Sequence, residues 1–260
     1  MNVLVTGATK GIGYYITVEF IKRGYNVYGV GRDKKRLQEM GEKFLSFTPL
    51  EYDLSIEENI FHMFDFFDRN EIKIDILVNN AGMGSIGKFS DINLEESRKV
   101  INLNIVSLTC ITKLFLERIR KREEKINERG IINIASTGAY QSGGPYIAIY
   151  YATKSFVKSF TEGLLEELRE DNIKVMCVCP GPVKTEFKGM ENVENENIFI
   201  MSPQKVAEIA IKDYFKNKEI SITGTVNKIL VFISKFIPRK LELKIIRKIQ
   251  KKKIKEEHCN

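Results

Sequence analysis

The chain has 260 residues, of which 43% are hydrophobic and 29% charged. That length suits one α/β domain with a sizeable core, and the composition excludes a disordered chain. The formal charge of +7 would point to nucleic acid or an anionic membrane, so its location decides what it means. Residues 226–260 hold 11 Lys and Arg against 3 Glu, and 30 of the 41 basic and 31 of the 34 acidic residues precede them. The body is near-neutral, which argues against nucleic acid as its partner, and the tail carries the excess.

The 4 cysteines do not make a disulfide scaffold. Cys177 and Cys179 stand two apart in an apolar run with no second Cys or His pair nearby, so they read as buried thiols on one strand face rather than metal ligands. His62 and His258 alone cannot build a histidine-rich metal site, and no metal is expected. Met1 is followed at once by a strand pattern, so no signal peptide is expected. No apolar run is read as reaching the ~20 residues that span a bilayer. These features predict a reducing, cytoplasmic setting.

In chain order, Val3–Val5 is a β-branched run ending at Thr6-Gly7, and a helix follows over Ile12–Arg23 until Gly24 stops it. Asn26–Gly31 is a second strand and Lys34–Lys43 a polar helix. Thr48–Tyr52 is a third strand. Apolar spacing at Ile60, Met63, Phe64 and Phe67 predicts a helix over Ile56–Arg69. Ile74–Val78 is a fourth strand, followed by one long helix over Leu94–Glu117 and a charged, solvated stretch to Arg129. Ile131–Ile134, Val175–Val178 and Ile220–Thr223 are the remaining strands. Tyr150–Glu170 and Ser202–Lys216 are the remaining helices of the body. This alternation predicts a single-domain α/β fold of the Rossmann type, a doubly wound parallel seven-stranded sheet with helices on both faces. The domain is read as 1–225 and the extension as 226–260. In such sheets ligands sit beyond the carboxyl ends of the strands, where strand order reverses.

Those ends carry the motifs. Gly7, Thr9, Lys10, Gly11, Ile12 and Gly13 form a glycine turn between the first strand and the first helix. Such a turn lets backbone N–H groups approach a pyrophosphate closely. Asn79-Asn80-Ala81-Gly82 follows the fourth strand and Asn104 lies in the long helix. Ser136 follows the fifth strand, and Pro180-Gly181 the sixth. Tyr150 and Lys154 are i and i+4, on one helix face. A free phenol titrates near ~10, and a neighbouring ammonium lowers that value, so Tyr150 is expected to serve as general acid for a ketone or base for an alcohol. Ser136 can donate a hydrogen bond to the reacting oxygen.

In order and context these motifs resemble the short-chain dehydrogenase/reductase family over about residues 1–224: TGATKGIG matches its TGxxxGxG turn, NNAG follows, and YYATK supplies YxxxK. The resemblance implies an oxidoreductase that transfers hydride between a nicotinamide and a carbonyl or secondary alcohol. It implies that Lys154 also holds the nicotinamide ribose and that Asn104 supports a proton-relay water. Asp53 and Leu54 would contact the adenine, Asn80, Ala81 and Gly82 the ribose side, and Val183 and Thr185 the carboxamide, beside Pro180 and Gly181. It further implies a homodimer through the helices that begin near Leu94 and Tyr150, with a tetramer also open.

Ser136 stands 14 before Tyr150 where the family more often shows 13. Thr137 would restore that spacing, but the strand text favours Ser136 and one extra residue in the loop Gly138–Tyr146. Cofactor choice is read at the end of the second strand. Gly31 stands where an NAD enzyme places a carboxylate, Arg32 follows, and Lys10 lies in the turn, so NADP(H) is predicted. Asp33 is the counter-argument and is read as facing solvent. The segment Glu186–Met201 resembles in position a substrate lid. Tyr140, Gln141, Tyr146, Phe187 and Met190 either shape the pocket or are ordinary loop packing. A small-molecule carbonyl or alcohol is expected, of unidentified structure.

Val226–Ile237 is apolar nearly all round, and Pro238 breaks it. Beyond it Leu241, Ile245, Ile246 and Ile249 gather on one side of a helix, with Lys240, Lys244, Arg247, Lys248 and Lys251 on the other. Either the helix lies on an anionic membrane, giving a peripheral contact, or it folds back on the body. A second function class therefore stands beside the enzyme: a cofactor-binding or membrane-surface interaction protein with little turnover.

Overall fold

The computed structural model describes residues 1–122, 128–185 and 200–258, without the side chains of 253 and 255–258. β1 (Asn2–Thr6) is an interior strand of the sheet, and Val3, Leu4 and Val5 are fully buried across both of its faces. Successive strand side chains point to opposite faces, and the two main cores follow that alternation. Val3 and Val5 join Ile16 and Phe20 of α1 (Gly11–Ile21) and Ala207, Ile211 and Tyr214 of α7 (Pro203–Phe215). Leu4 joins Ile60, Met63, Phe64 and Phe67 of α3 (Glu57–Arg69) on the other side.

The remaining strands are β2 (Asn26–Gly31), β3 (Phe47–Glu51), β4 (Ile76–Asn79), β5 (Gly130–Ile134), β6 (Lys174–Cys179) and β7 (Ile220–Ile222). All pair in parallel, in the order β3-β2-β1-β4-β5-β6-β7. Order reverses between β1 and β4, where Val5 pairs with Val78. The predicted doubly wound, seven-stranded sheet is the observed one. The other body helices are α2 (Lys34–Lys43) and α6 (Ala148–Glu167), and the expected Tyr150–Glu170 helix starts two residues earlier and ends three earlier.

The single long helix expected from Leu94 is interrupted. α4 (Leu94–Ile101) gives way to a π-helical turn over Asn102–Ser107 before α5 (Leu108–Arg120). A π-turn widens the helix locally and is found mostly at functional sites, and this one contains Asn104. By length and composition Leu94–Arg120 also passes as a membrane span, contrary to the reading that no apolar run is long enough. Val100, Leu108, Ile111, Phe115 and Ile119 of the stretch are buried in the domain, as in the core helix of a globular protein.

Beyond β7 come α8 (Thr225–Ser234) and α9 (Arg239–His258). The side of α9 facing the body is not the apolar one expected. Glu242, Ile246 and Gln250, at i, i+4 and i+8, are buried, whereas Leu241, Ile245 and Ile249 remain exposed. The amide of Ser142 donates to Glu242 Oε2 at 3.0 Å, and this satisfied polar contact lets a carboxylate take a core position.

Candidate active site

The first βα turn is built by backbone geometry. Gly7 has φ +67°, a region that side chains with a Cβ rarely enter. A Cβ on Gly13 would stand 2.1 Å from the carbonyl oxygen of Gly7. The turn is fastened from β4: Asn80 Nδ2 donates to Thr6 O at 2.9 Å and Gly7 O at 3.0 Å, and the amides of Asn80 and Ala81 both donate to Thr6 Oγ1 at 3.0 Å. The NNAG segment therefore holds the glycine turn open. Thr6 was not singled out in the sequence.

Beside the turn runs a cleft of about 590 Å³, lined at one end by Gly7, Thr9, Lys10, Gly11, Ile12 and Arg32 with Asp53 and Leu54. Asn80, Ala81 and Gly82 line it further along, as do Pro180, Gly181, Val183 and Thr185. Gly13 lies beneath the turn, outside that lining, where close approach to Gly7 is its contribution. Asp53 accepts from Ser55 N at 2.9 Å and Ser55 Oγ at 2.7 Å. Burial pushes its pKa up, but the Ser55 hydrogen bonds and the Arg32 charge together hold it below the usual carboxylate value. Arg32 reaches Asp53 at 3.7 Å and is mostly exposed. Asp33 is the N-cap of α2, accepting from Arg36 N at 3.1 Å, so its carboxylate serves the helix end. The glycine turn at a helix start and the volume of this cleft fit a dinucleotide.

Ser136, Tyr150 and Lys154 line the same cleft. Ser136 caps a short 3-10 turn, accepting from Gly138 N at 3.1 Å, and its hydroxyl is hydrogen-bonded to Tyr150. Thr137 lines the cleft as well, but the bond to Tyr150 is made by Ser136. Burial pushes the Tyr150 phenol up to about 12, with the Ser136 bond partly opposing it and Tyr151 adding to it. Lys154 is 6% exposed and donates to Ile134 O at 2.7 Å, with Nζ 5.8 Å from the Tyr150 ring centroid. Burial brings its ammonium down to about 8, against an upward pull from Cys177 and Cys179. The expectation that Lys154 lowers the phenol is thus not met here: burial is the largest influence on Tyr150, and Lys154 directs one of its three donors to Ile134 O of β5.

Asn104 sits behind the cleft rather than in its lining. Its Nδ2 donates to Met83 O at 2.9 Å and Thr153 Oγ1 at 3.0 Å, and its Oδ1 accepts from Met83 N at 2.9 Å. It ties the loop after β4 to α6. A buried polar ladder does the same from the sheet: Asn79 donates to Thr112 and Asn133, and Asn133 to Thr161, at 2.9 to 3.0 Å.

The substrate end departs from the sequence reading. Tyr140 turns away from the cleft toward β6, where Cys179 Sγ donates to its hydroxyl at 4.0 Å and Lys158 stands 4.9 Å over its ring. Cys177 and Cys179 are buried together, 3.6 Å apart, on one face of β6. Tyr146, at φ +67°, hydrogen-bonds Arg247 and Lys251 of α9, which lower its phenol. Neither tyrosine lines the cleft. Gln141 is also outside it, and Phe187 and Met190, with most of the proposed lid, lie outside the described residues. The cleft is lined instead by Met83, Glu96, Ile147, Tyr151 and Gln250. Tyr151 and Gln250 could have been noticed in the sequence, the first beside Tyr150 and the second as the uncharged polar residue in a lysine-rich helix.

Fold and site together define a dinucleotide-binding α/β protein with a Ser-Tyr-Lys constellation in its cleft. A family model for short chain dehydrogenases matches residues 1–196. Dehydrogenase/reductase SDR family member 11 of Bos taurus is 31% identical over 225 residues, covering 80% of this chain and 88% of that protein. A short-chain dehydrogenase from Sphingobium yanoikuyae, solved in complex with NADPH, superposes with TM-score 0.75 at 27% identity over 85% of this chain and 86% of that one. A 3-ketoacyl-(acyl-carrier-protein) reductase from Brucella melitensis, complexed with NADH, superposes with TM-score 0.75 at 27% identity over 85% and 95%. The chain belongs to the short-chain dehydrogenase/reductase family and is an oxidoreductase of it.

Proposed function

We propose that the protein is an NADP(H)-dependent carbonyl reductase or alcohol dehydrogenase acting on a small molecule. The observation that carries this is the Tyr150 phenol, hydrogen-bonded to Ser136 in the cleft that the glycine turn opens. A bound nicotinamide nucleotide would supply or accept the hydride. A phenol held near 12 keeps its proton at neutral pH, which suits it to donate to a carbonyl oxygen as charge builds there. Ser136 would donate a second hydrogen bond to that oxygen. Lys154 would hold ribose hydroxyls, and Asn104 would keep Met83 and α6 in register beneath them. Arg32 and Lys10 favour a 2′-phosphate through charge, since Asp33 is committed to the α2 cap. The test is oxidation of NADPH against a carbonyl panel. Tyr150→Phe is expected to lose at least about 10²-fold in kcat with NADPH affinity kept, and a variant that keeps its rate would refute the assignment.

A second reading concerns location and rests on the tail. On and just after α8, Ile229, Leu230, Phe232, Ile233 and Phe236 are exposed, Phe232 at 61% and Phe236 at 72%. The Leu241, Ile245 and Ile249 row of α9 is exposed beside Lys244 and Lys248. Exposed apolar side chains with interleaved lysines fit the interface of an anionic bilayer. Sedimentation with phosphatidylglycerol vesicles tests it: Phe232→Ser/Phe236→Ser is expected to weaken binding about tenfold or more. Unchanged binding, or a patch covered instead by a second copy of the chain in solution, would end this reading.

A further inference from the structure

Gln250 is the residue of α9 that the oxidoreductase reading leaves without a task. It is 6% exposed and lines the cleft with Ser136, Tyr150 and Tyr151. Its side chain is hydrogen-bonded to the Tyr151 phenol, yet its carbonyl Oε1 is buried with no hydrogen-bond partner. Buried amides almost always satisfy both ends, because a bare carbonyl keeps the full cost of losing water. The helix is not free to turn this group outward. Two turns earlier Glu242 accepts from Ser142 N, Ile246 is buried between them, and Arg247 and Lys251 hold the Tyr146 hydroxyl. These contacts fasten α9 to the loop between Ser136 and Tyr150.

We propose that Gln250 is a substrate-recognising residue whose Oε1 accepts a hydrogen bond from a hydroxyl or amino group on the substrate. The substrate class is then a carbonyl compound carrying such a donor, or the matching alcohol, rather than a plain hydrocarbon ketone. This rests on the oxidoreductase reading of the cleft. A site built to hydrogen-bond a polar group rejects the analogue that lacks it, because its own polar atom is left bare.

The test compares 2-butanone, 3-hydroxy-2-butanone and 3-amino-2-butanone, with NADPH, in the wild type, Gln250→Leu, Gln250→Glu and Tyr150→Phe. The wild type is expected to favour a donor-bearing member in kcat/KM. Gln250→Leu should cut that preference, read as the ratio of kcat/KM for the donor-bearing ketone over 2-butanone, about tenfold or more. Gln250→Glu keeps an acceptor and should keep the hydroxyl preference while gaining on the amine. A merely undocked α9 would lower all rates together and would not be rescued by Glu. Equal kcat/KM across the set in the wild type, or equal losses in Gln250→Leu, overturns the proposal. Where none of the three is turned over, the same compounds are read by the melting shift of the NADP+-loaded protein, and an equal shift from all three overturns it. Turnover that survives Tyr150→Phe counts against the catalytic assignment alone, since the Gln250 result is scored on ratios.

Discussion

The two ends of the cleft are built by different means. At the cofactor end the work is done by backbone: a turn at positive φ, two glycines in contact, and Asn80 donating to two carbonyl oxygens of that turn. At the substrate end it is done by side chains from three remote segments, Glu96 of α4, Tyr151 of α6 and Gln250 of α9. A backbone-built site tolerates almost no change of residue type, because the geometry itself requires glycine. A site walled by side chains can be rebuilt one residue at a time with the scaffold left alone, so specificity can diverge there while cofactor binding stays fixed.

The sharpest way to break this contrast is Gly13→Ala. The added Cβ would press on the Gly7 carbonyl and on Asn80 Nδ2, and Asn80 could yield only by giving up its bonds to Thr6 O and Gly7 O. NADPH affinity is expected to fall by about 100-fold or more, and stability by on the order of 3 kcal/mol. A fluorescence titration and a melting curve would read both. Gln250→Leu, at the other end, should leave NADPH affinity unchanged. Normal NADPH binding by Gly13→Ala would erase the distinction.

The same contrast explains what could be read from the residues in order. The strands were legible because a parallel sheet covered on both faces demands continuous apolar runs such as Ile76–Val78 and Val175–Val178. The glycine turn and the YxxxK pair were legible because spacing alone fixes them. The π-turn at Asn102–Ser107 was not, since a one-residue widening leaves the apolar period of a helix nearly intact. The docking of α9 was hidden for another reason. Its buried row of Glu242, Ile246 and Gln250 is two-thirds polar, so a search for an apolar face selects the neighbouring row. Nearness in sequence left Tyr140 and Tyr146 open between the pocket and loop packing, and the structure gives their hydroxyls to Cys179 and α9.

Lys154 stands where the two ends meet, and its burial gives a smaller effect with a definite sign. In the unfolded chain its ammonium persists to about 10.5, whereas in the fold the proton leaves near 8. Between those values the unfolded state binds more protons, so stability rises with pH across that window. Below about 8 both states are charged and the full cost of burying the ammonium is present. Lys154→Met is therefore expected to lose activity yet be more stable to unfolding than the wild type at pH 7, by on the order of 1 to 3 kcal/mol. That advantage should shrink as pH climbs from about 8 toward 10.5. A gap that is independent of pH would mean that the lost bond to Ile134 O, not the charge, sets the stability of the variant.

The smallest effect separates the tasks of Asp33 and Arg32 at the cofactor end. Asp33 directly follows Arg32, at the strand end where an acid would select NADH. In the structure it accepts from Arg36 N at 3.1 Å and caps α2. Removing a cap of this kind costs about 1 kcal/mol, so Asp33→Ala should lower the melting temperature by a few degrees, roughly 2–4 °C at this chain length. Its ratio of kcat/KM for NADPH over NADH should stay within about twofold, because the capping carboxylate is not the one that meets a ribose. Arg32→Ala supplies the opposite pattern: the guanidinium is mostly exposed and pairs with Asp53 only at 3.7 Å, so the melting temperature should hold. The NADPH over NADH ratio should then fall about tenfold with the lost phosphate partner. Should Asp33→Ala instead raise the NADPH ratio while Arg32→Ala leaves it alone, the acid and not the arginine reads the ribose, and the cofactor end is that of an NADH enzyme.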